Sequence, residues 1–281
     1  MNVLSLFNGI GAGREALKKS DIKVTNFYYS EIDKFANQVV GKHYPQDINF
    51  GDISNWKDWD LDWSSIDLLL AGSPCQGFSF AGKQLAFDDP RSKLFFVFVD
   101  ILNHIKTLNP DVKFMLENVR MKKEFIDVIS EKLQVEPIVI NSALVSAQNR
   151  NRLYWANWRI TQPQDKSVYL KDIIEKPYIG VLNKTATKTN KAYTLTASYG
   201  GAVAWNSVER KQRTMIPTHL SVQDNPNNYD GIFYRKLTPL ECERLQTFPD
   251  NYTDCCSDSQ RYKQLGNSWT VEVIAHILKC M

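Results

Sequence analysis

Apolar positions along this chain cluster in short runs, and between the runs they recur with helical spacing. Runs with the length of buried strands occupy residues 3–7, 24–29, 67–71, 112–116 and 137–140. Helical spacing occupies a stretch that begins near Arg14, residues 94–108 and residues 125–133. Strands that alternate with helices predict an α/β fold built on a mostly parallel, doubly wound sheet.

The periodicity fades between about Trp158 and Arg235, where Thr, Asn, Lys, Gly and Pro dominate and residues 193–196 are the clearest strand-like piece. A helical pattern returns at Thr238, which is suited to cap a helix whose first residue is Pro239. The last apolar helix runs to Leu278. We therefore predict two domains: one discontinuous domain formed by residues 1–157 and 235–281, and a smaller, mostly irregular and β-containing module formed by residues 158–234.

Composition narrows the possible classes of protein. The chain has 281 residues and a formal net charge of +3, but residues 159–213 hold ten Lys or Arg against four Asp or Glu, which favours contact with a polyanion. A solvated, lysine-rich surface would give the same count. The five cysteines form no CxxC pair, so neither a disulfide framework nor a metal site is predicted. No export signal is evident at the first residues, and a cytoplasmic location in a bacterial or phage-infected cell is expected.

One cysteine follows a predicted strand. The apolar run at residues 67–71 stops at Gly72-Ser73-Pro74, which brings Cys75 to the edge of the sheet, where a thiol is able to react. Pro74 stiffens the backbone just before it, whereas Gly77 and Gly82 allow the next residues to move. A packed, unreactive cysteine is the alternative interpretation.

A glycine turn follows the first strand. Gly9, Gly11 and Gly13 alternate there, as in a cradle for a nucleotide-like ligand, but they do not match the GxGxxG spacing of nicotinamide and flavin enzymes. Glu31 comes just after the second strand, where a carboxylate is able to accept both hydroxyls of a ribose, and Asp52 follows a short third strand. Ordinary turn geometry would explain each of these features taken alone.

Taken in order, five motifs resemble the motif set of the DNA (cytosine-5)-methyltransferases. They are Phe7-x-Gly9-x-Gly11, Pro74-Cys75-Gln76, Glu117-Asn118-Val119, Gln148-x-Arg150-x-Arg152 and Gly266-Asn267-Ser268. Trp269 and the compact middle module are similar to the animal de novo DNA methyltransferases and their bacterial or phage relatives, and Gln-Gly-Phe-Ser after Cys75 is similar to restriction-modification enzymes. The resemblance implies a Rossmann-like methyltransferase fold with a target-recognition module inserted before the C-terminal helices.

The resemblance also implies a chemistry. Carbon 5 of cytosine is a poor nucleophile, so a thiolate, here that of Cys75, first adds to carbon 6. We expect Arg150 and Arg152 to activate the thiol and Arg152 to hold the flipped base. Glu117 is expected to be an acid kept neutral by burial, which donates a hydrogen bond to the ring nitrogen. No side chain is assigned to the removal of the carbon 5 proton.

The implied methyl donor is S-adenosylmethionine, with Phe7 near its sulfonium, Gly9 and Gly11 beside its amino-acid portion, Glu31 on the ribose and Asp52 near the adenine. By correspondence with the family, the remainder of the pocket is expected to comprise Ile32, Ile53, Pro74, Leu94, Asn267, Ser268 and Trp269.

The implied substrate is double-stranded DNA, because the target base must leave the stack before reaction. The residues expected to contact DNA are Gln76, Ser79, Lys83, Gln84, Arg91 and Gln148, together with Ser198, Arg210, Lys211 and Arg213 in the basic module. Two alternatives stay open, a tRNA cytosine-5 methyltransferase and a catalytically silent, DNA-binding homologue. A cognate restriction endonuclease that acts separately is a further possible partner.

Overall fold

The computed structural model describes residues 1–73, 93–175, 184–218, 227–229 and 231–281. Within them the chain divides into two compact units. The first unit comprises Met1–Ile140, Asn151–Gln162 and Ile274–Met281, and the second comprises Asn141–Arg150 and Pro163–Val273.

The first unit is built on a seven-stranded sheet of order β3-β2-β1-β4-β5-β7-β6 among the described residues. Its strands are β1 (Asn2–Leu6), β2 (Asn26–Ser30), β3 (Ile48–Asn49), β4 (Leu68–Gly72), β5 (Lys113–Val119), β6 (Ile138–Asn141) and β7 (Asn151–Ala156). Its helices are α1 (Ala12–Lys19), α2 (Lys34–His43), α3 (Lys93–Leu108) and α4 (Lys123–Leu133). Strands β3, β2, β1, β4 and β5 pair in parallel, and β7 pairs with β5 antiparallel. The predicted α/β fold with a mostly parallel sheet is confirmed.

Parallel pairing explains why the central strands have no polar face. Leu68, Leu69 and Leu70 of β4 are all fully buried, because helices cover both faces of a parallel sheet. The main core of this unit joins the sheet to α3 and α4 through residues such as Phe98 and Ile129. The edge where these strands end is consequently held on a rigid, fully packed base.

The second unit has less regular structure. Its elements among the described residues are α5 (Ala204–Val208), β8 (Met215–Thr218), β9 (Asn228–Tyr229), β10 (Ile232–Lys236), α6 (Pro239–Leu245) and α7 (Asp258–Asn267), and α8 (Val271–Lys279) begins in it. Strands β8, β10 and β9 form an antiparallel sheet in that spatial order. The strand predicted at residues 193–196 is absent; Ala192 instead forms an isolated bridge with Gln148.

The boundaries of the two compact units differ from the predicted domain boundaries. Helices α6 and α7, predicted to belong with the sheet, group with the second unit. Tyr199 is one reason: its buried hydroxyl accepts a hydrogen bond from the Leu237 amide at 2.8 Å and donates one to the Thr214 carbonyl at 2.6 Å. This side chain ties the irregular segment to the residues just before α6.

The predicted start of α6 is confirmed. Thr238 Oγ1 accepts a hydrogen bond from the Glu241 amide at 3.1 Å, Glu241 Oε2 accepts one from the Thr238 amide at 2.8 Å, and Pro239 occupies the first turn. This reciprocal pair satisfies two amides that a helix leaves without intrahelical partners. Across the described parts of the chain, no helix is both long and apolar enough to traverse a lipid bilayer.

Candidate active site

The carboxyl ends of β1, β4 and β5 lie side by side. Leu6 is in register with Ala71, and Gly72 with Glu117, so the residues that follow these strands emerge at one edge of the sheet. Arg152 reaches the same edge from the antiparallel strand β7, where it is in register with Val119. The first unit therefore brings together the predicted positions Phe7, Glu117 and Arg152.

Glu117 and Arg152 form an ion pair at this edge. Arg152 Nε lies 3.1 Å from Glu117 Oε1, and the two side chains are only 14% and 11% exposed. Arg152 also donates to the Asn151 carbonyl at 2.8 Å, which fixes the guanidinium. The sequence-based hypothesis relied on burial to keep Glu117 neutral, but the structure also places a cation against the carboxyl, and a neighbouring cation favours the charged form of a carboxyl group. The neutral state of Glu117 therefore stays a prediction. Glu117 and Arg152 thus act as one unit.

Asn118 links the end of β5 to the residue that follows β4. Its side-chain amide donates to Ser73 Oγ at 2.9 Å, and its carbonyl oxygen accepts from the Val119 amide at 2.8 Å. Asn118 and Ser73 are 1% and 5% exposed, so water does not compete strongly for these bonds. No role was predicted for Asn118. Its position inside the Glu-Asn-Val motif was a signal that could have suggested one. Ser73 directly precedes Pro74-Cys75, so Asn118 anchors the start of that segment.

Several predicted residues lie outside the described part of the chain. They are Pro74, Cys75, Gln76, Ser79, Lys83, Gln84 and Arg91.

The described cysteines differ in exposure, and one of them is fully enclosed by the protein. Cys242 is fully buried in α6, and burial raises the pKa of its thiol well above the usual range, with Glu241 and Glu243 adding to the shift. A buried thiol of that kind is inert. Cys255, Cys256 and Cys280 are partly exposed and form no disulfide among the described residues. No group of His, Cys, Asp or Glu in the described ranges could hold a metal ion.

The turn between β1 and α1 is left-handed at three of its positions. Phe7, Gly9 and Gly11 have φ values of 57°, 55° and 81°, a region that glycine adopts without strain. Apart from its chain neighbours, no described residue has a heavy atom within 4 Å of the place where a Cβ on Gly9 would sit, so the described part of the chain leaves open space there. Beside it, both polar side-chain atoms of Asn8 are buried and have no hydrogen-bond partner among the described residues. An orphaned amide next to open space fits a polar ligand.

Glu31 closes the other side of this turn. Its carboxylate accepts hydrogen bonds from the amides of Gly9, Ile32 and Asp33, each at 2.8 Å. An ionised carboxylate offers about four acceptor positions, so it retains capacity for a ligand hydroxyl. Ile32, the next residue, is 74% exposed, which is unusual for an isoleucine. A ribose with an attached flat, apolar base suits this combination.

The remaining cofactor residues predicted in the described part of the first unit differ in exposure. Asp52 is exposed and caps the 3₁₀ helix Ile53–Asp58 by accepting from the Ser54 amide at 2.8 Å, and Leu94 packs partly buried against the main core. Ile53, however, is 4% exposed and belongs to that core. Its side chain packs within the core, so a contact with the cofactor would come from its backbone, and that contact stays a prediction.

Gln148 and Arg150, in the second unit, are buried and fully engaged within the protein. The Arg150 guanidinium donates to the carbonyls of Leu195, Gly266 and Ser268 at 2.7, 3.2 and 2.9 Å. The Gln148 amide donates to the Leu245 carbonyl and to Gln246 Oε1 at 2.8 and 2.9 Å. These positions suit neither the DNA contact predicted for Gln148 nor the thiol-activating role predicted for Arg150, because acceptors far away in the chain take up these side-chain donors.

The Gly-Asn-Ser segment owes its glycine to a close backbone approach. A Cβ on Gly266 would lie 2.1 Å from the carbonyl carbon of Thr196, a distance no side chain tolerates. After it, Asn267 is exposed, Ser268 is buried with its hydroxyl lacking a partner among the described residues, and Trp269 is half-buried. Their predicted contact with the cofactor remains a prediction.

The predicted DNA-contacting residues of the basic module divide into two kinds. Arg213 is engaged locally, since it donates to the Gly201 carbonyl at 2.8 Å and to Ser198 Oγ at 2.9 Å. Lys211 is exposed with a φ of 52°, and the exposed Arg210 lies over the indole of Trp205. Trp205 was not among the residues predicted to contact DNA.

The sequence matches a protein-family model and is similar to other methyltransferases. The family model described as C-5 cytosine-specific DNA methylase matches residues 1–197 and 164–281. The chain is 31% identical to the type II methyltransferase M1.ScrFI of Lactococcus lactis subsp. cremoris, over 99% of this chain and 77% of that protein. It is 31% identical to the type II methyltransferase M.HpaII of Haemophilus parainfluenzae, over 96% of this chain and 86% of that protein.

Among solved structures, the Entamoeba histolytica methyltransferase EhMeth is similar in fold. Its TM-score is 0.75 at 20% sequence identity, and the match covers 99% of this chain and 97% of that one.

Proposed function

The chain belongs to the C-5 cytosine-specific DNA methylases, and from this premise we propose that it methylates carbon 5 of a cytosine flipped out of double-stranded DNA, with S-adenosylmethionine as the donor and Cys75 as a transient nucleophile. The observation that carries the residue assignment is the Glu117–Arg152 pair, which lies at the strand edge where Asn118 anchors Ser73, two residues before Cys75. The curated relatives named as type II methyltransferases support DNA as the substrate.

In the proposed reaction the Cys75 thiolate forms a bond to carbon 6 of the cytosine. The electrons of the 5,6 double bond move into the bond between carbons 4 and 5 as the ring nitrogen between carbons 2 and 4 takes a proton from Glu117, so carbon 5 becomes the nucleophilic end of an enamine. Arg152 keeps the Glu117 carboxyl in one orientation and stabilises the charge left on it after the transfer. After methylation the carbon 5 proton passes to solvent, its bonding electrons form the 5,6 double bond again, and sulfur leaves carbon 6 as the Cys75 thiolate. The proton on the ring nitrogen returns to the Glu117 carboxylate.

The donor's place is supported by the turn after β1. Phe7, Gly9 and Gly11 would admit its amino-acid portion, with Asn8 as a polar partner, while Glu31 and Ile32 would hold the ribose and the adenine. When bound, S-adenosylmethionine supplies a methyl group on a sulfonium centre, which makes that carbon electrophilic. Asn267, Ser268 and Trp269 are proposed as additional contacts from the family resemblance alone.

A duplex containing 5-fluorocytosine in place of the target cytosine tests the nucleophile. Fluorine cannot leave as a proton does, so the enzyme should stay covalently attached once the donor is present, and peptide mapping should locate the bond at Cys75. The Cys75→Ser variant should form no adduct and still bind S-adenosylmethionine in calorimetry. An adduct on another residue, or none with the wild-type enzyme, would refute the assignment.

The same assay separates the alternatives that the sequence left open. Methyl transfer to duplex DNA is expected to exceed transfer to tRNA, and the reverse order would make the chain an RNA methyltransferase. A silent homologue would bind DNA without forming product. Digestion of the methylated DNA with a panel of restriction endonucleases tests the proposed partner, since a cognate nuclease should fail to cut it.

A further inference from the structure

Helix α5 exposes a tryptophan whose one face is covered by an arginine. Trp205 is 46% exposed, and its neighbour on the surface, Val203, is 36% exposed. The Arg210 guanidinium carbon lies 4.3 Å from the centre of the indole, within the range of a cation–π contact. Two exposed apolar side chains are too few for a stable protein interface, which buries about 800 Å² on each partner. This surface is therefore better suited to a polar partner than to an apolar protein surface.

The backbone around the pair is ordered by its own hydrogen bonds. The amides of Glu209 and Arg210 donate to the Trp205 carbonyl at 3.0 and 3.4 Å, and the Gln212 amide donates to the Asn206 carbonyl at 3.2 Å. The Ser207 hydroxyl, fully buried, accepts from the Met215 amide at 3.1 Å and so ties α5 to β8. Trp205 and Arg210 are thus presented from a fixed base.

Arg210 differs from the other arginines of the second unit. The side chains of Arg150, Arg213, Arg235, Arg244 and Arg261 all donate to carbonyl, hydroxyl or carboxylate oxygens. The Arg210 side chain has no such partner among the described residues. The indole covers one face of the guanidinium, and no described residue accepts a hydrogen bond from the edge that bears its N–H donors.

A guanidinium whose face is fixed and whose edge is accessible is suited to recognise a base in DNA. Its parallel N–H groups match the O6 and N7 acceptors that guanine presents in the major groove of DNA, the commonest specific contact between a side chain and a base. The stacked indole reduces the rotamer freedom that would otherwise be lost on binding.

The charges around the pair favour an anionic partner. Lys211 is exposed next to Arg210, and with the nearby acid Glu209, whose carboxylate accepts a hydrogen bond from the Tyr229 hydroxyl at 2.5 Å, the three adjacent residues keep a net positive charge. Positive charge at this surface is suited to phosphate contacts that position the reading side chain without selecting a sequence.

We propose that Arg210, held in place by Trp205, reads a guanine in the target sequence through its paired donors, and that Lys211 contacts the DNA backbone. This inference deepens the proposed function, because it rests on duplex DNA as the substrate. It assigns Trp205 as a positioning residue and separates Arg210 from Arg213, whose donors are engaged within the protein.

The test uses binding, so that it does not depend on methyl transfer. The wild-type full chain and its variants each select from a pool of randomised DNA duplexes, and the bound fraction is sequenced. The wild type should enrich a motif that contains guanine. In Arg210→Lys, which keeps the charge but loses the fork, the preference at one guanine should fall by about 5- to 150-fold while the other positions persist.

Matched variants distinguish reading from positioning and from charge. Trp205→Leu should weaken the preference at the same guanine, Trp205→Phe should restore most of it, and Trp205→Leu combined with Arg210→Lys should be no worse than Arg210→Lys alone. Lys211→Gln should lower binding equally for all sequences and reduce the salt dependence.

The proposal is overturned if Arg210→Lys retains the full preference at every position, or if the wild type selects no motif. A selected duplex that binds but is not methylated would refute the proposed function and leave this inference standing.

Discussion

Arg152 Nε lies 3.1 Å from Glu117 Oε1 because antiparallel pairing of β5 and β7 places the two residues diagonally on one face. Val119 is directly opposite Arg152, and Glu117 is two residues back along β5, a spacing that long side chains bridge readily. The pair therefore depends on strand register, and the chemistry proposed for it is open to direct test.

We predict that Glu117→Gln lowers the single-turnover rate of methylation by at least about 100-fold, the size typical of a lost general acid. The amide preserves the shape of the side chain but cannot supply a proton as a carboxylic acid does. The rate is measured with enzyme in excess over a labelled duplex. Glu124→Gln, which removes an exposed acid on α4, is the control and should leave the rate unchanged. Full activity in Glu117→Gln would remove Glu117 from the mechanism.

Asn118→Ala should lower the turnover number as well as the stability. The change leaves Ser73 Oγ and the Val119 amide without their buried partners, a loss of about 1–3 kcal/mol, and it frees the residue that begins the segment containing Cys75. The matched control is Asn157→Ala, since Asn157 bonds the Val112 carbonyl and the Phe114 amide at the opposite end of β5. The control should lose stability in urea unfolding and keep its turnover number; an equal loss of turnover in both variants would contradict the anchoring role.

Gly266→Ala should destabilise the protein by about 1–3 kcal/mol or more, because the new methyl group would lie 2.1 Å from the Thr196 backbone and 2.3 Å from the Ala197 nitrogen. Urea unfolding followed by circular dichroism measures the change. Gly41→Ala serves as the control: this glycine lies within α2, and outside that helix no described residue has a heavy atom within 4 Å of the added Cβ, so alanine should stabilise the helix by about 0.5–1 kcal/mol. Equal effects of the two substitutions would show that the close approach at Gly266 relaxes at little cost.

Asp47 should make stability depend on pH. Burial raises the pKa of its carboxyl, while Arg14, 3.1 Å away, lowers it by less. The folded state therefore takes up the proton at a higher pH than the unfolded state does. As the pH falls through the folded-state pKa, the folded state gains stability from this group, and the gain levels off below the unfolded-state value of about 3.9.

The comparison of wild type with Asp47→Asn isolates that contribution. The free energy of unfolding of the wild type, minus that of the variant, should increase as the pH is lowered from neutrality toward 4. A difference that stays constant or decreases would show that the Arg14 ion pair outweighs burial.

Much of the fold and part of the site could be predicted from local pattern. The strand after Asp67 and the capping box at Thr238 depend only on residues close together in the chain, so their signals survive in the sequence. The position of Ile53 did not follow in the same way. An isoleucine after a turn acid suits either a ligand pocket or the core, and only the packing of distant residues selects the core.

The Gln148-x-Arg150-x-Arg152 segment shows the same division most clearly. By itself the sequence determined the order of the motifs, the parallel sheet and the family to which the chain belongs. It could not determine that Gln148 and Arg150 are buried while Arg152 meets Glu117. The buried positions of Gln148 and Arg150 depend on the carbonyls of Leu195, Leu245 and Gly266, which are far away in the chain. Only the tertiary structure brings such partners within hydrogen-bond distance, and a buried donor must take the partner that is there.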